Sequence, residues 1–340
     1  MTKVLITGAT GFIGSYTARL LVNSGLEVWA IRRETSKMDL VADIADRIHW
    51  HTCDLTDVYD LEEVILKVDS IIHCAAQVSF DPREEKEMYK YNVEATRDLV
   101  NLALSCKIQK LVMVSSIAAL GRYSQEPDKP IDENIEWSAG LNHTYYGITK
   151  HLSEQEVWRG QAEGLDTVIL NPSLVLGAGY WDKGTPALFK RVAGFNPFYP
   201  KGSTGVVDVR DVAELLHKAL ISDISGERII VSGENLPYRD ILQQMAEALG
   251  KKGPTIKLNQ ILINTLTALD FVRANVLRQP RLVTKENLNS SARTSRYKTN
   301  KSISLFNYAY RPISATIKAT AECFNTTNTE GVGFGILPFV

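Results

Sequence analysis

Short apolar runs alternate with helix-like stretches through the first half of the chain. Val4-Leu5-Ile6 is followed by an amphipathic stretch through Leu20, Leu21 and Val22 that stops at Gly25. Val28 to Ile31 and Ile48 to Thr52 are the next runs, and a helical stretch around Leu61 to Lys67 follows. Ser70 to Ile72, Leu111 to Val114 and Val168 to Leu170 complete the series. Runs that are apolar throughout, rather than alternating, mark strands buried on both faces. Strands separated by helices connect through right-handed crossovers. The pattern therefore predicts an α/β fold with a doubly wound parallel sheet.

The pattern changes near residue 176. The stretch Gly177 to Gly205 is rich in Gly, Pro and aromatics and reads as irregular. Val206 to Val209 then leads into a helix, Asp211 to Leu220, and Arg228 to Val231 supplies one more core strand. From Tyr238 onward the chain is helical, looped and polar. Two regions are expected. The sheet region covers 1–178 and 206–235, and a smaller, mostly helical region covers 179–205 and 236–340. The apolar tail Val332 to Val340 has no place in this scheme.

Composition narrows the class. With 340 residues, 44% hydrophobic and 23% charged, the chain can bury a large core without metals or disulfides. A formal net charge of −1 does not favour a nucleic-acid partner. Cys53, Cys74, Cys106 and Cys323 are scattered, with no CxxC pair, so a reducing, cytoplasmic setting is expected. The N-terminus runs straight into a strand without the apolar stretch of a signal peptide. The segment Ile261 to Val272 is interrupted by Asn264 and Asp270 and is too short for a stable membrane span. A membrane-touching helix there stays open.

Candidate chemistry begins at Thr7-Gly8-Ala9-Thr10-Gly11-Phe12-Ile13-Gly14, which follows a strand and opens a helix. Glycines let the backbone turn tightly and approach a pyrophosphate, and the helix N-terminus offers free N–H groups to the anion. This makes the sheet region a candidate dinucleotide-binding Rossmann domain, although GxxGxxG departs from the GxGxxG spacing. Arg32 and Arg33 follow the second strand, where an acidic residue would select NAD. Guanidinium groups suit a 2′-phosphate and favour NADP, with NAD as the alternative. A pair of solvated arginines is the competing reading. Asp54 and Leu55 follow the third strand and fit either an adenine contact or a helix cap.

Tyr146 and Lys150 lie at i and i+4, on one face of a helix that runs to about Gly164. A neighbouring ammonium and an oxidised nicotinamide stabilise phenolate, so the tyrosine can exchange a proton with an alcohol or carbonyl. Ser115 and Ser116 end a strand at the edge where open α/β sheets bind ligands. A hydroxyl there can hydrogen-bond the reacting oxygen.

Together these motifs resemble an extended short-chain dehydrogenase/reductase, nearest its dihydroflavonol reductase-like and 3β-hydroxysteroid dehydrogenase-like branch. The resemblance rests on the glycine turn, His73-Cys74-Ala75-Ala76, Asn92 to Thr96, Ser115-Ser116, Tyr146/Lys150, Asn171-Pro172-Ser173 and Val207 to Asp211, in the family's order over residues 2–235. After 236 only Tyr297-Lys298 and Tyr310-Arg311-Pro312 resemble it. The resemblance implies that Ser116 polarises the substrate oxygen, with Ser115 the weaker candidate, and that Tyr146 is the acid/base. It implies that Lys150 binds the nicotinamide ribose and tunes Tyr146. It places Arg33 at a phosphate-binding position and Ala75, Ala76 and Asn92 in the cofactor pocket. Asn171, Pro172, Ser173 and Val175 would run past the nicotinamide. It also implies a homodimer through the helix bearing Tyr146. His73 reads as part of the motif, and a metal role for it lacks a partner at ligand spacing.

The leading function is an NADP(H)-dependent carbonyl reductase or alcohol dehydrogenase acting on a small organic substrate. The alternatives are a sugar-nucleotide epimerase or dehydratase and a non-catalytic NADP-binding regulator. A sugar-nucleotide diphosphate needs cations, for which Lys183, Lys190, Arg191 and Lys201 are available but scattered. Tyr180, Trp181, Phe189, Phe195, Phe198 and Tyr199 suggest either a more hydrophobic pocket or interdomain packing.

Overall fold

The computed structural model describes residues 2–121, 129–138, 143–194, 196–277, 281, 284, 288 and 290–339. Its strands are β1 (Lys3–Thr7), β2 (Glu27–Arg32), β3 (His49–Thr52), β4 (Ser70–His73), β5 (Lys110–Val114), β6 (Asp166–Pro172), β7 (Leu174–Leu176), β8 (Phe198–Tyr199), β9 (Ser203–Asp208), β10 (Glu227–Val231), β11 (Glu234–Pro237) and β12 (Ile256–Lys257). Its helices are α1 (Phe12–Asn23), α2 (Val58–Ile65), α3 (Glu85–Tyr89), α4 (Ala95–Ser105), α5 (Tyr145–Ala162), α6 (Ala187–Ala193), α7 (Val209–Ile221), α8 (Tyr238–Ala248), α9 (Gln260–Val276), α10 (Asn300–Phe306) and α11 (Ile313–Thr329).

Seven parallel strands form the main sheet in the order β3-β2-β1-β4-β5-β6-β10. Side chains alternate across it. Val4, Ile6, Ile72 and Val112 join one core with Tyr16 and Leu21 of α1 and Val212 and Leu216 of α7. Leu5, Ile71, Leu111 and Ile169 point the other way, onto Leu61 of α2, Leu99 of α4 and Val157 of α5. Strand order reverses between β1 and β4, which is where ligands bind in such sheets. Helix α5 ends in paired capping bonds, Leu165 N–H to Gly160 O at 2.9 Å and Gly164 N–H to Gln161 O at 3.1 Å.

The chain after β6 holds more strand than its pattern predicts. β7, β9 and β11 form a three-stranded sheet, and β8 pairs with β12. β9 starts at Ser203, inside the stretch expected to be irregular. Two-residue strands such as β8 and β12 carry no period to read, and only their distant partner defines them. The apolar tail returns to α1. Tyr16 donates its hydroxyl to Ala178 O at 3.0 Å and accepts Leu337 N–H at 2.7 Å, and Phe339 packs edge-on against its ring. Arg210 donates to Pro338 O at 3.0 Å.

Candidate active site

Gly8 closes β1 with φ +72°, and Gly11 N–H bonds back to its carbonyl at 2.9 Å. A Cβ on Gly8 would stand 2.7 Å from Ala75 N, so the turn lies directly against the segment following β4. A Cβ on Gly14 would stand 2.1 Å from Gly8 O, which presses the first turn of α1 onto the loop. No side chain caps α1 at Gly11. Gly11 is exposed, and Thr10, Phe12 and Ile13 are half-buried around it. The free N–H groups of α1 are thus presented to solvent in a cradle that fits an anion.

At the end of β2, Arg33 is exposed and Arg32 half-buried. The Arg33 guanidinium sits 5.9 Å over the Tyr91 ring, and Tyr91 donates its hydroxyl to Asp54 at 3.0 Å. Asp54 also accepts Thr56 N–H at 2.9 Å and the Thr56 hydroxyl at 2.8 Å. Burial raises the Asp54 carboxyl, but these bonds and the Arg33 charge outweigh it and hold the pKa below the ordinary value. Leu55 is buried beside it. Arg33 therefore lies in a small polar cluster with a cationic face toward solvent.

Tyr146 and Lys150 occupy the first turns of α5, whose start is capped by the Thr144 hydroxyl accepting Gly147 N–H at 3.0 Å. Lys150 is buried and donates its Nζ to Val114 O at 2.7 Å, at the end of β5. Burial lowers its pKa to about 8, opposed by Glu154 and Cys74. The Tyr146 pKa moves opposite to the expected direction. Burial raises the phenol to about 12, and a hydrogen bond with Ser116 opposes that shift. Burial outweighs the Ser116 bond, and the Lys150 ammonium bonds the Val114 carbonyl rather than the ring hydroxyl. Ser116 caps the short helix Ile117–Ala119, accepting Ala118 N–H at 3.1 Å. The serine, the tyrosine and the lysine thus converge at the C-terminal edge of β5, and Ala75 and Ala76 follow the neighbouring strand β4.

The comparisons with known proteins agree with this geometry. The model of the NAD dependent epimerase/dehydratase family matches residues 4–232. The chain belongs to this family. It is accordingly an enzyme of the NAD(P)-dependent reductase or epimerase type. It is 30% identical over 259 residues to the Synechocystis protein named "Putative dihydroflavonol 4-reductase", covering 73% of each chain. It is 30% identical over 271 residues to "Sterol demethylase protein B" of Methylococcus capsulatus, covering 78% of this chain and 80% of the relative. Among solved structures, that of gox2253 is 30% identical with a TM-score of 0.81, over 96% of this chain and 98% of that one.

Several motif residues of the family stand behind this edge rather than in it. Ser115 donates to Glu154 at 2.5 Å, which commits its hydroxyl inside the protein. Asn171 donates to the Ser116 carbonyl at 2.9 Å and to Glu154 at 2.6 Å. Arg228 reaches the other Glu154 oxygen at 3.2 Å. Glu154 is fully buried, and burial raises its pKa despite these partners. This brace was not anticipated from the sequence, where a glutamate in mid-helix reads as a surface charge. Asn92 lies in a π-helical turn, Lys90–Glu94. Its amide joins Gln77 O at 2.9 Å to the Thr149 hydroxyl at 3.0 Å, and its oxygen accepts Gln77 N–H at 2.8 Å. Asn92 thereby pins the loop after β4 to α5, one residue from Lys150. Pro172, Ser173 and Val175 are buried at the end of β6 and the start of β7.

His73 is likewise internal. Thr96 donates to Asn92 O at 2.5 Å, so at 3.1 Å it accepts from His73 Nε2–H. Thr7 then donates to His73 Nδ1 at 2.7 Å. Burial, then the Lys150 charge, lowers the imidazole to about 3 and keeps it neutral. The expected aromatic pocket is only partly that. Phe189 is buried in the core, and Trp181 packs edge-on against Phe324. Tyr180 and Trp181, with Lys37, Asp39, Lys190 and Phe334, line a cavity of about 500 Å³ that Ser116, Tyr146 and Lys150 do not border. Phe195 lies outside the described residues.

Proposed function

We propose that this enzyme is an NADP(H)-dependent carbonyl reductase, or alcohol dehydrogenase in reverse, for a small organic substrate. One observation carries the reading. A half-buried tyrosine is held as the neutral phenol, with Ser116 on it and the buried Lys150 ammonium one helical turn on. A phenol is protonated at neutral pH, and burial, which raises this one to about 12, keeps it so; the protonated ring with Ser116 beside it is the state from which a carbonyl oxygen can receive a proton. Ser116 and Tyr146 would hold the substrate oxygen from two sides, and Tyr146 would give it the proton. Lys150 supplies positive charge that offsets the phenolate left behind. The uncapped α1 turn with Gly8, Gly11 and Gly14 would take the pyrophosphate, Lys150 the nicotinamide ribose, and Arg33 with Arg32 the 2′-phosphate. Bound NADPH supplies the hydride.

The relatives' names support reduction, since they include the dihydroflavonol 4-reductase above and "Cinnamoyl-CoA reductase 1" of Arabidopsis thaliana, at 28% identity. The two-region division at 178, 206 and 235, the homodimer through α5 and a cytoplasmic location belong to the same proposal. The four cysteines are free, in keeping with a reducing compartment. Tyr146→Phe is the test. It should bind NADPH as the parent does and lose on the order of a hundredfold or more in turnover. Unchanged turnover would refute the assignment. Consumption of only catalytic cofactor would favour the epimerase reading instead.

A further inference from the structure

Helix α9 is turned inside out. The residues it buries are Ile263, Thr267, Asp270 and Ala274, one face at helical spacing and half of it polar. Asp270 takes Arg273 at 2.8 Å and Arg281 at 3.6 Å, and Arg281 N–H bonds Asp81 at 3.1 Å. These bonds fix the helix by its polar side to the loop that follows β4. The opposite face is open and mostly apolar, with Thr265 and Ala268 between its larger residues. Ile261 is 75% exposed, Leu269 63%, Val272 58% and Val276 74%. The spacing i, i+8, i+11, i+15 makes them one stripe, about 22 Å long at the rise of an α-helix. Isolated exposed apolar residues are ordinary, but four large ones along one face of a helix that buries an aspartate on the other mark an interaction surface.

Charge selects the partner. From Lys251 to Lys301 the sequence holds eleven Lys and Arg against two Asp and Glu; Arg273 and Arg281 pair with Asp270, Lys298 with Asp132 and Lys301 with Glu227. Lys251, Lys252 and Lys257, on the approach to α9, are exposed, and Ile256 among them is exposed too. These three exposed lysines leading into an apolar stripe match an anionic bilayer interface, with acyl chains for the stripe and phosphates for the lysines. Among the described residues no helix is long and apolar enough to cross a membrane, so this contact lies in the plane of the surface.

We propose that α9 and its basic flank dock this enzyme on anionic phospholipid membranes. The inference rests on charge and exposure and does not depend on the redox reading. The full chain is mixed with vesicles of phosphatidylcholine, with or without phosphatidylglycerol, and sedimented. It should bind the anionic vesicles, more weakly as salt rises. A Leu269→Glu, Val272→Glu double variant should lose on the order of tenfold or more of that binding while keeping its melting temperature and NADPH affinity. Failure to bind anionic vesicles, equal binding to both kinds, or full binding by the variant overturns the proposal. A dimer that the same variant dissociates, without vesicle binding, overturns it in favour of a second copy of the chain.

Discussion

Gly14→Ala isolates the packing that shapes the cofactor turn. Gly14 is buried in α1 at a helical φ, so alanine meets no backbone strain there. The added Cβ would stand 2.1 Å from Gly8 O and 2.7 Å from Gly8 C, both backbone atoms of the turn. Relief to an ordinary contact requires a shift of about 1 Å between the α1 N-terminus and the loop. Overpacking of that kind costs about 1–3 kcal/mol of stability. On the proposed binding mode the same 1 Å would move the N–H groups off the pyrophosphate, and NADPH affinity should fall at least about tenfold. Gly25→Ala is the matched control. Its φ is +79° but nothing lies within 4 Å of the new Cβ, so it carries backbone strain without a clash. It should cost about 1–2 kcal/mol and leave affinity unchanged. NADPH titration by fluorescence, beside urea unfolding of both variants, gives the answer. Wild-type affinity in Gly14→Ala, or an equal affinity loss in both, would refute the reasoning.

Arg33→Ala should weaken NADPH by roughly tenfold and leave NADH nearly unchanged, because it removes a cation that only the 2′-phosphate needs; paired titrations check this. His73 titrates near 6.5 when unfolded and at about 3 when folded. The unfolded chain therefore takes up protons first, and the stability this group contributes is complete above pH ~6.5 and lost as pH falls toward 3. Urea midpoints at pH ~7 and ~5 should show a shallower loss in His73→Gln than in the parent. Glu154→Leu should destabilise by about 3–5 kcal/mol, since it leaves the Arg228 charge and the Ser115 and Asn171 donors without their acceptor. Denaturant unfolding measures that loss.

The main sheet was readable because its strands are buried on both faces, and continuous apolar runs record that directly. Ser116, Tyr146 and Lys150 were readable because their spacing and their place after a strand are local features. The Glu154 brace was not. Its partners Ser115, Asn171 and Arg228 come from the ends of β5 and β6 and from β10, which only the strand order makes neighbours. The sign of the Tyr146 shift was missed for a related reason. Proximity of a lysine is visible at i+4, whereas desolvation depends on everything folded around the ring. The tail from Val332 needed its partner, the Tyr16 hydroxyl 321 positions away, before it had a place.

The central claim is that Tyr146 protonates an oxygen while a hydride from NADPH reaches the carbon bearing it. NADPH carrying deuterium at the transferable position tests this most directly, with small aromatic and aliphatic aldehydes and ketones as acceptors. The account predicts one deuterium on the carbinol carbon for each NADPH consumed, abolished in Tyr146→Phe. Deuterium that stays on the cofactor while a substrate is nonetheless converted, or equal transfer by the phenylalanine variant, would contradict it.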